Sequence, residues 1–147
     1  ELASLPNNTD GAATIRAYYQ VIATPPYHVW KTAVPFTASM QEPGFDWTRV
    51  DNLTTGKSRI IEFMLASEFL NASFINIRSG IISAFTTAQD LATRQAIFNS
   101  FSRLANRGEK LLASGVGSPT NDQGVGPSTM TFEGLFTLDE IIDARNS

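Results

Sequence analysis

The chain has no cysteine and a single histidine among its 147 residues. The first absence excludes disulfide frameworks, thiolate nucleophiles and cysteine-ligated metals. The second excludes paired-histidine metal sites and makes any Ser-His-acid arrangement depend on His28 alone. Charge is sparse as well: charged residues make up 17% of the sequence, below the roughly 25% usual for a soluble domain, and the formal net charge is −3. An acidic balance disfavours a surface built to hold polyanions or anionic membranes, so neither nucleic acid nor membrane is expected as a partner. No apolar run approaches the roughly 18 residues needed to span a bilayer, and the start Glu1-Leu2-Ala3-Ser4-Leu5-Pro6 has neither a basic n-region nor an apolar h-region. A cleaved leader ahead of Glu1 stays open.

What is present is a hydrophobic fraction of 42%, including 10 Phe, which excludes a disordered chain and suffices for a core without disulfides or metals. One domain over 1–147 is expected. With so few charges, either some surface is reserved for a partner or Ser, Thr and Asn cover it.

Residues 1–10, with Pro6-Asn7-Asn8, read as an extended arm, and Thr9 or Asp10 offers an N-cap for a helix over 12–23 that Pro25-Pro26 ends. Tyr27 to Trp30 and the stretch after Val34-Pro35 read as short helices around the Trp anchors Trp30 and Trp47. From Thr48 the apolar positions Val50, Leu53, Ile60, Ile61, Met64 and Leu65 follow a helical period, and around Ile60 they cover an arc of roughly 200°, wider than a one-sided surface helix requires. That helix is central or feeds an interface. Ser73 is placed to cap a helix over 74–85. Thr87 with Asp90 forms a capping box opening the longest expected helix, 88–113, striped by Leu91, Phe98, Phe101, Leu104, Ala105, Leu111 and Leu112, with Gly108 a weak point and Gly115 its stop.

Residues 114–129, rich in Gly, Ser, Pro, Thr and Asn, read as a long loop, a length that marks a binding loop or a flexible segment. Met130 to Glu133 alternates as a short strand would, and a capping box of Thr137 with Glu140 opens a last helix over 138–145. The fold class expected is mostly α: a compact multi-helix domain with a long Gly/Ser/Pro-rich loop and at most a short β element near the C-terminus.

Candidate chemistry is thin. Gly56-Lys57-Ser58 imitates the end of a phosphate loop, but Asp51 stands where that motif needs Gly, and the period puts the triplet inside a helix. His28, between Tyr27, Val29 and Trp30, reads as a structural residue. Asp139, Glu140 and Asp143 suit a helix N-terminus better than a cation site, and Arg103, Arg107 and Lys110 suit one helical face near a C-terminus better than a phosphate site. The acids Asp46, Asp51, Glu62 and Glu68 would supply an acid–base pair only if the fold gathered them. Asn7-Asn8-Thr9, Asn52-Leu53-Thr54 and Asn71-Ala72-Ser73 match the glycosylation pattern, which matters only in a eukaryotic secretory setting. No metal or cofactor is expected.

Phe45-Asp46-Trp47-Thr48-Arg49-Val50-Asp51-Asn52-Leu53, continuing through Gly56-Lys57 and Arg59-Ile60, resembles segments of small uncharacterised proteins encoded by tailed bacteriophages. Asn76-Ile77-Arg78-Ser79-Gly80-Ile81, Glu109-Lys110-Leu111-Leu112-Ala113-Ser114-Gly115 and Thr129-Met130-Thr131-Phe132-Glu133-Gly134 resemble others in the same order. Where that group tends to have Trp in the central helix, this chain has Ile61 and Phe63. The resemblance implies a viral setting and carries no catalytic residues. Within that setting, the thin catalytic inventory, the sparse charge, the apolar helix and the long Gly-rich loop point to a virion structural or accessory protein, capsid-associated or tail-associated, that is not an enzyme and contacts other virion proteins or copies of itself, located in the virion or otherwise in the host cytoplasm. The contact residues expected are Tyr27, Trp30, Val116 and Val125, with the arm. The alternatives are a hydrolase using His28 with scattered carboxylates and an intracellular regulatory or nucleic-acid-binding protein.

Overall fold

A computed structural model describes residues 2–147, which form a mostly α-helical fold with two small antiparallel sheets. After a 3-10 turn at Leu2–Ser4, helix α1 runs Thr9–Gln20. It starts earlier than expected because Asn8 caps it, its side-chain oxygen accepting from the Gly11 N–H at 3.0 Å. The first residues do not stand off as an arm. Leu2 and Leu5 pack with Ala12, Ile15 and Ile141, and the Arg145 guanidinium donates to the carbonyls of Leu5 and Pro6. Gly11 permits that path, since a Cβ there would lie 1.9 Å from the Pro6 carbonyl oxygen.

Tyr27 to Trp30 is not helical. His28–Trp30 forms strand β1, placed between two partners. One edge pairs antiparallel with Ser102–Leu104, strand β2, with Val29 opposite Arg103. The other meets the long loop: His28 N–H donates to Gly117, Trp30 N–H to Ser128, and Ser128 N–H to His28. This first sheet lies outside the C-terminal region to which β structure was expected to be confined. A β-branched residue and an aromatic after Pro25-Pro26 suit a half-buried strand, and two pairing edges outweigh any local helical preference.

The single helix expected from Thr48 is two. Helix α2, Trp47–Asp51, is capped by Asp46, whose carboxylate accepts from Thr48 N–H at 2.9 Å, and after Asn52 the chain restarts as α3, Thr55–Ala66. Helix α4, Ile75–Ala84, begins after Phe74 rather than under a Ser73 cap, because the Ser73 hydroxyl is spent on Asn71. Helices α3 and α4 form an antiparallel hairpin: Gly80 sits against Ile60 and Met64, and Lys57 near the start of α3 donates to Thr86 just past the end of α4. The Thr87–Asp90 capping box is present at the 3-10 turn Ala88–Asp90 that leads into α5, Leu91–Phe101. There the expected 26-residue helix stops. Ser102 turns extended to join β2, and Asn106 starts α6, Arg107–Leu112, with its own capping box to Glu109. Of the expected stripe, Phe98, Phe101 and Ala105 are buried, while Leu91, Leu104, Leu111 and Leu112 are exposed.

The main core lies between α3, α4, α5 and the 3-10 turn Phe36–Gln41, with Trp30, Phe36, Phe85, Phe98 and Phe101 fully buried. Trp30 meets Phe98 edge to face at 6.4 Å, and the Arg78 guanidinium lies over the indole at 4.6 Å. Each such ring contributes about 1.5–3 kcal/mol by leaving water. A smaller second cluster joins α1 to α7, Leu138–Asn146, which starts under the expected Thr137–Glu140 capping box.

Residues 114–129 connect β3, Ala113–Ser114, to β4, Thr129–Met130, so the long loop is the connection of a hairpin. Beyond its main-chain bonds to β1, side-chain contacts fasten it. Gly117 lies under the Tyr27 ring, Gly124 under Phe98, and Arg94 pairs with Asp122 at 2.9 Å. Gly117 has φ +69°, and a Cβ there would come within 2.2 Å of the Tyr27 ring. Gly117→Ala is therefore expected to cost about 2 kcal/mol, the left-handed backbone and the clash acting together. A urea midpoint equal to wild type would show that this fastening does not hold the loop.

Candidate functional site

A groove of about 480 Å³ lies at the second cluster. Its walls come from five places in the chain, beginning with Leu2 and Ala3 of the N-terminal turn. Ile15 and Tyr19 face inward from α1, Ile141 from α7, Leu111 from α6, and Phe132 and Phe136 from the segment after β4. The two phenyl rings stack at 4.8 Å, and Tyr19 meets Phe136 edge to face at 5.6 Å. Size and apolar lining match what recognition pockets for an apolar body require. Its charged residues are both engaged within the chain. Glu140 accepts from the Thr137 N–H and hydroxyl, which hold its carboxyl below the usual range, and Arg145 is held by the carbonyls of Leu5 and Pro6.

A second cleft of about 470 Å³ shares Tyr19 and Leu111 with the first, so the two adjoin. Its character is different. Arg107 and Lys110, one turn apart on α6, line it with Tyr18. The Arg107 guanidinium lies over the Tyr18 ring at 4.2 Å, and the Lys110 ammonium is 5.4 Å from the Tyr27 ring centroid. Among the described residues neither has a carboxylate within ion-pair distance, whereas Arg49, Arg94 and Arg103 all do. The combined groove is an apolar trough with two cations at one end that have no acidic partner. It suits an apolar segment followed by a carboxylate or another anion.

A buried carboxylate fixes these walls. Glu109 is 2% exposed and accepts from Arg103 at 2.7 and 2.8 Å, from Asn106 N–H at 3.0 Å and from Gly134 N–H at 3.1 Å. Asn106 Nδ2 donates back to the Gly134 carbonyl, and Glu133 accepts from Arg103 and from the Thr32 hydroxyl. Burial pushes the Glu109 carboxyl up. The Arg103 hydrogen bonds and the two N–H groups outweigh it, so the net direction is down, while the same contacts raise Arg103. Gly108, expected as a weak point, is a packing requirement: a Cβ there would sit 2.8 Å from the Phe136 ring. Glu109 and Gly108 together press the Phe132–Phe136 segment onto α6.

The residues singled out from the sequence are dispersed. Val116 and Val125 are exposed at the long loop. Tyr27 is half-buried, its hydroxyl 2.9 Å from the Gly115 carbonyl and 2.7 Å from Ser128 Oγ. Trp30 is 1% exposed, so it is a core residue and not a contact residue; the edge-on packing of Phe98 accounts for it. Arg103, Arg107 and Lys110 do not share a helical face, because Arg103 belongs to β2. Lys57 lies within α3, as its period requires. Asp46 caps α2, Asp51 ends it, and Glu62 and Glu68 are exposed on and just after α3, on elements other than the strand carrying His28. Among the described residues no group of three His, Asp or Glu is placed to hold a metal, and no helix is long and apolar enough to cross a membrane.

Sequence reading missed the groove because its wall residues are scattered from Leu2 to Arg145 and meet only through tertiary packing. One signal was available. Phe132 and Phe136 sit four apart beside Gly134, too aromatic for a solvated connection. No family model, curated protein or solved structure matches the chain.

Proposed function

We propose that this chain is a non-catalytic structural or accessory component of a tailed-phage particle that works by protein–protein contact, with the two-part groove as its contact surface. The observation that carries the contact reading is the adjacency of an apolar trough to two cations without acidic partners. Such a surface recognises by burial and is oriented by charge, the division of labour of a docking site. The viral setting rests on the sequence segments around Asp46 to Ile60 and after Thr129. His28 is not among the groove-lining residues, so a hydrolytic alternative finds no acid–base pair at this surface.

The test has two arms. Mass spectrometry of purified particles of the encoding phage is expected to find the chain at the level of other minor structural proteins. Leu111→Asp, which puts a charge at the shared wall on a residue already 65% exposed and so leaves the fold intact, is expected to abolish incorporation. Absence of the wild-type chain from particles, or incorporation of the variant at the wild-type level, overturns the proposal. Excising residues 116–126 tests the loop separately, and unchanged assembly would remove Val116 and Val125 from the contact surface.

A further inference from the structure

Resting on the contact reading above, we infer that the occupant of the groove is a second copy of this chain, which inserts the end of its α3–α4 hairpin. That end is apolar and unpartnered. Phe63 in the last turn of α3 is 77% exposed, Phe69 in the connection 56%, Phe74 62%, and Ile75 at the start of α4 66%. Leu70 and Ala72 of the same connection point inward, tied to Val34 and Lys31 by main-chain hydrogen bonds, so the outward rings project from a fixed base.

Taking ~200 Å² for an aromatic side chain, these residues leave on the order of 500 Å² of apolar surface in water. The groove offers less area than the tip, so the contact falls at the small end of specific interfaces, where charge has to add to burial. Charge selects the same pairing. Residues 60–77 contain Glu62 and Glu68 and no Lys or Arg, and both acids are exposed. Of the flanking cations, Arg78 is held over Trp30 and by the Ala72 and Ser73 carbonyls, and Arg59 lies about a turn further back on α3. An apolar tip carrying acids is the complement of an apolar trough ending in Arg107 and Lys110.

No groove-lining residue comes from α3, α4 or their connection. Tip and groove belong to different packing clusters, and the fastened hairpin cannot fold back to fill its own groove. The contact is therefore between copies: two that exchange tips close as a dimer, and otherwise the run is head to tail. In such a run each copy added leaves one tip and one groove open, so the assembly closes as a ring or grows as a filament.

Sedimentation velocity on the full chain over a concentration series tests this. The wild type is expected to associate, to a closed dimer or past it. A tip variant, Phe63→Asp with Phe69→Asp, and a groove variant, Arg107→Glu with Lys110→Glu, are each expected to associate at least about 30-fold more weakly, as for lost hot-spot residues. Mixed in equal amounts, they should form a one-to-one dimer and stop, since only one tip and one groove remain intact. That mixing also reports folding, because a misfolded variant would supply neither half. Reversing both sides in one chain, with Glu62→Lys and Glu68→Lys added to the groove variant, should restore association. A wild type that stays monomeric, or a mixture that stays monomeric, overturns the inference. A monomeric chain that still enters particles would sink the second copy and spare the docking role; oligomers with no chain in particles would do the reverse.

Discussion

Glu109→Ala is expected to destabilise the protein by about 3–5 kcal/mol, the cost of stripping one partner from a buried ion pair. Glu109 is buried, and its two oxygens accept from Arg103, from the Asn106 N–H and from the Gly134 N–H, which ties the three together. Removing them leaves the Asn106 and Gly134 N–H groups without acceptors and the Arg103 guanidinium with the more exposed Glu133 as its one remaining carboxylate. For a chain of this length the loss corresponds to a fall of about 10 °C in Tm. Urea denaturation should show it as a lowered midpoint, and a midpoint within experimental error of wild type would remove Glu109 as the clamp. The sign of its pH dependence follows from the depressed carboxyl. The network's stabilisation is complete above the unfolded value near 4.5 and is lost as pH falls through the lower folded value. Glu109→Gln should therefore flatten the loss of stability below about pH 4.5.

The clamp shows why the sequence was legible in some places and not in others. The capping boxes Thr87–Asp90 and Thr137–Glu140 were readable because each stands at the edge of a polar break and needs only contacts three residues apart. Asn106-x-x-Glu109 has the same spacing and was overlooked, since it falls inside an apolar period running from Leu91 to Leu112 that reads as one helix. That period is real in α5 and accidental afterwards. What interrupts it is β1, a strand more than seventy residues earlier whose edge requires Ser102 to Leu104 to be extended. Local pattern has no access to such a demand. Trp30 failed for a related reason: its neighbours Tyr27 and His28 look like surface, yet β1 alternates, and Val29 and Trp30 both close into the interior between two pairing edges. The helical fold class was legible because α1, α3 and α7 carry their apolar faces locally. The groove was not, because every wall is contributed by a different element.

Phe98→Ala is expected to lose about 3–5 kcal/mol, in the range for removing a phenyl ring from a core. Phe98 is 0% exposed and meets both Trp30 and Phe101 edge to face, so little around it can collapse into the space. It has a second consequence that other core rings lack. The outer edge of the ring is covered by Gly124 in the long loop, whose φ of +63° and missing Cβ allow an approach that any side chain would block. The loop turn Asn121 to Val125 thus rests on α5 through this ring and through the Arg94–Asp122 pair, with the Gly124 N–H to Asn121 carbonyl bond closing it at 3.0 Å. In the variant that turn should lose protection in hydrogen exchange before α5 does, because its free energy of opening depends on the ring while α5 keeps Ile97 and Phe101. Phe98→Leu, which fills part of the space, should recover much of the stability while still thinning the support under Gly124. Equal exchange at Gly124 in wild type and Phe98→Ala would mean that the Arg94–Asp122 pair and the Tyr27 contact hold the loop unaided, and Val116 and Val125 would then be positioned by β1 rather than by the core.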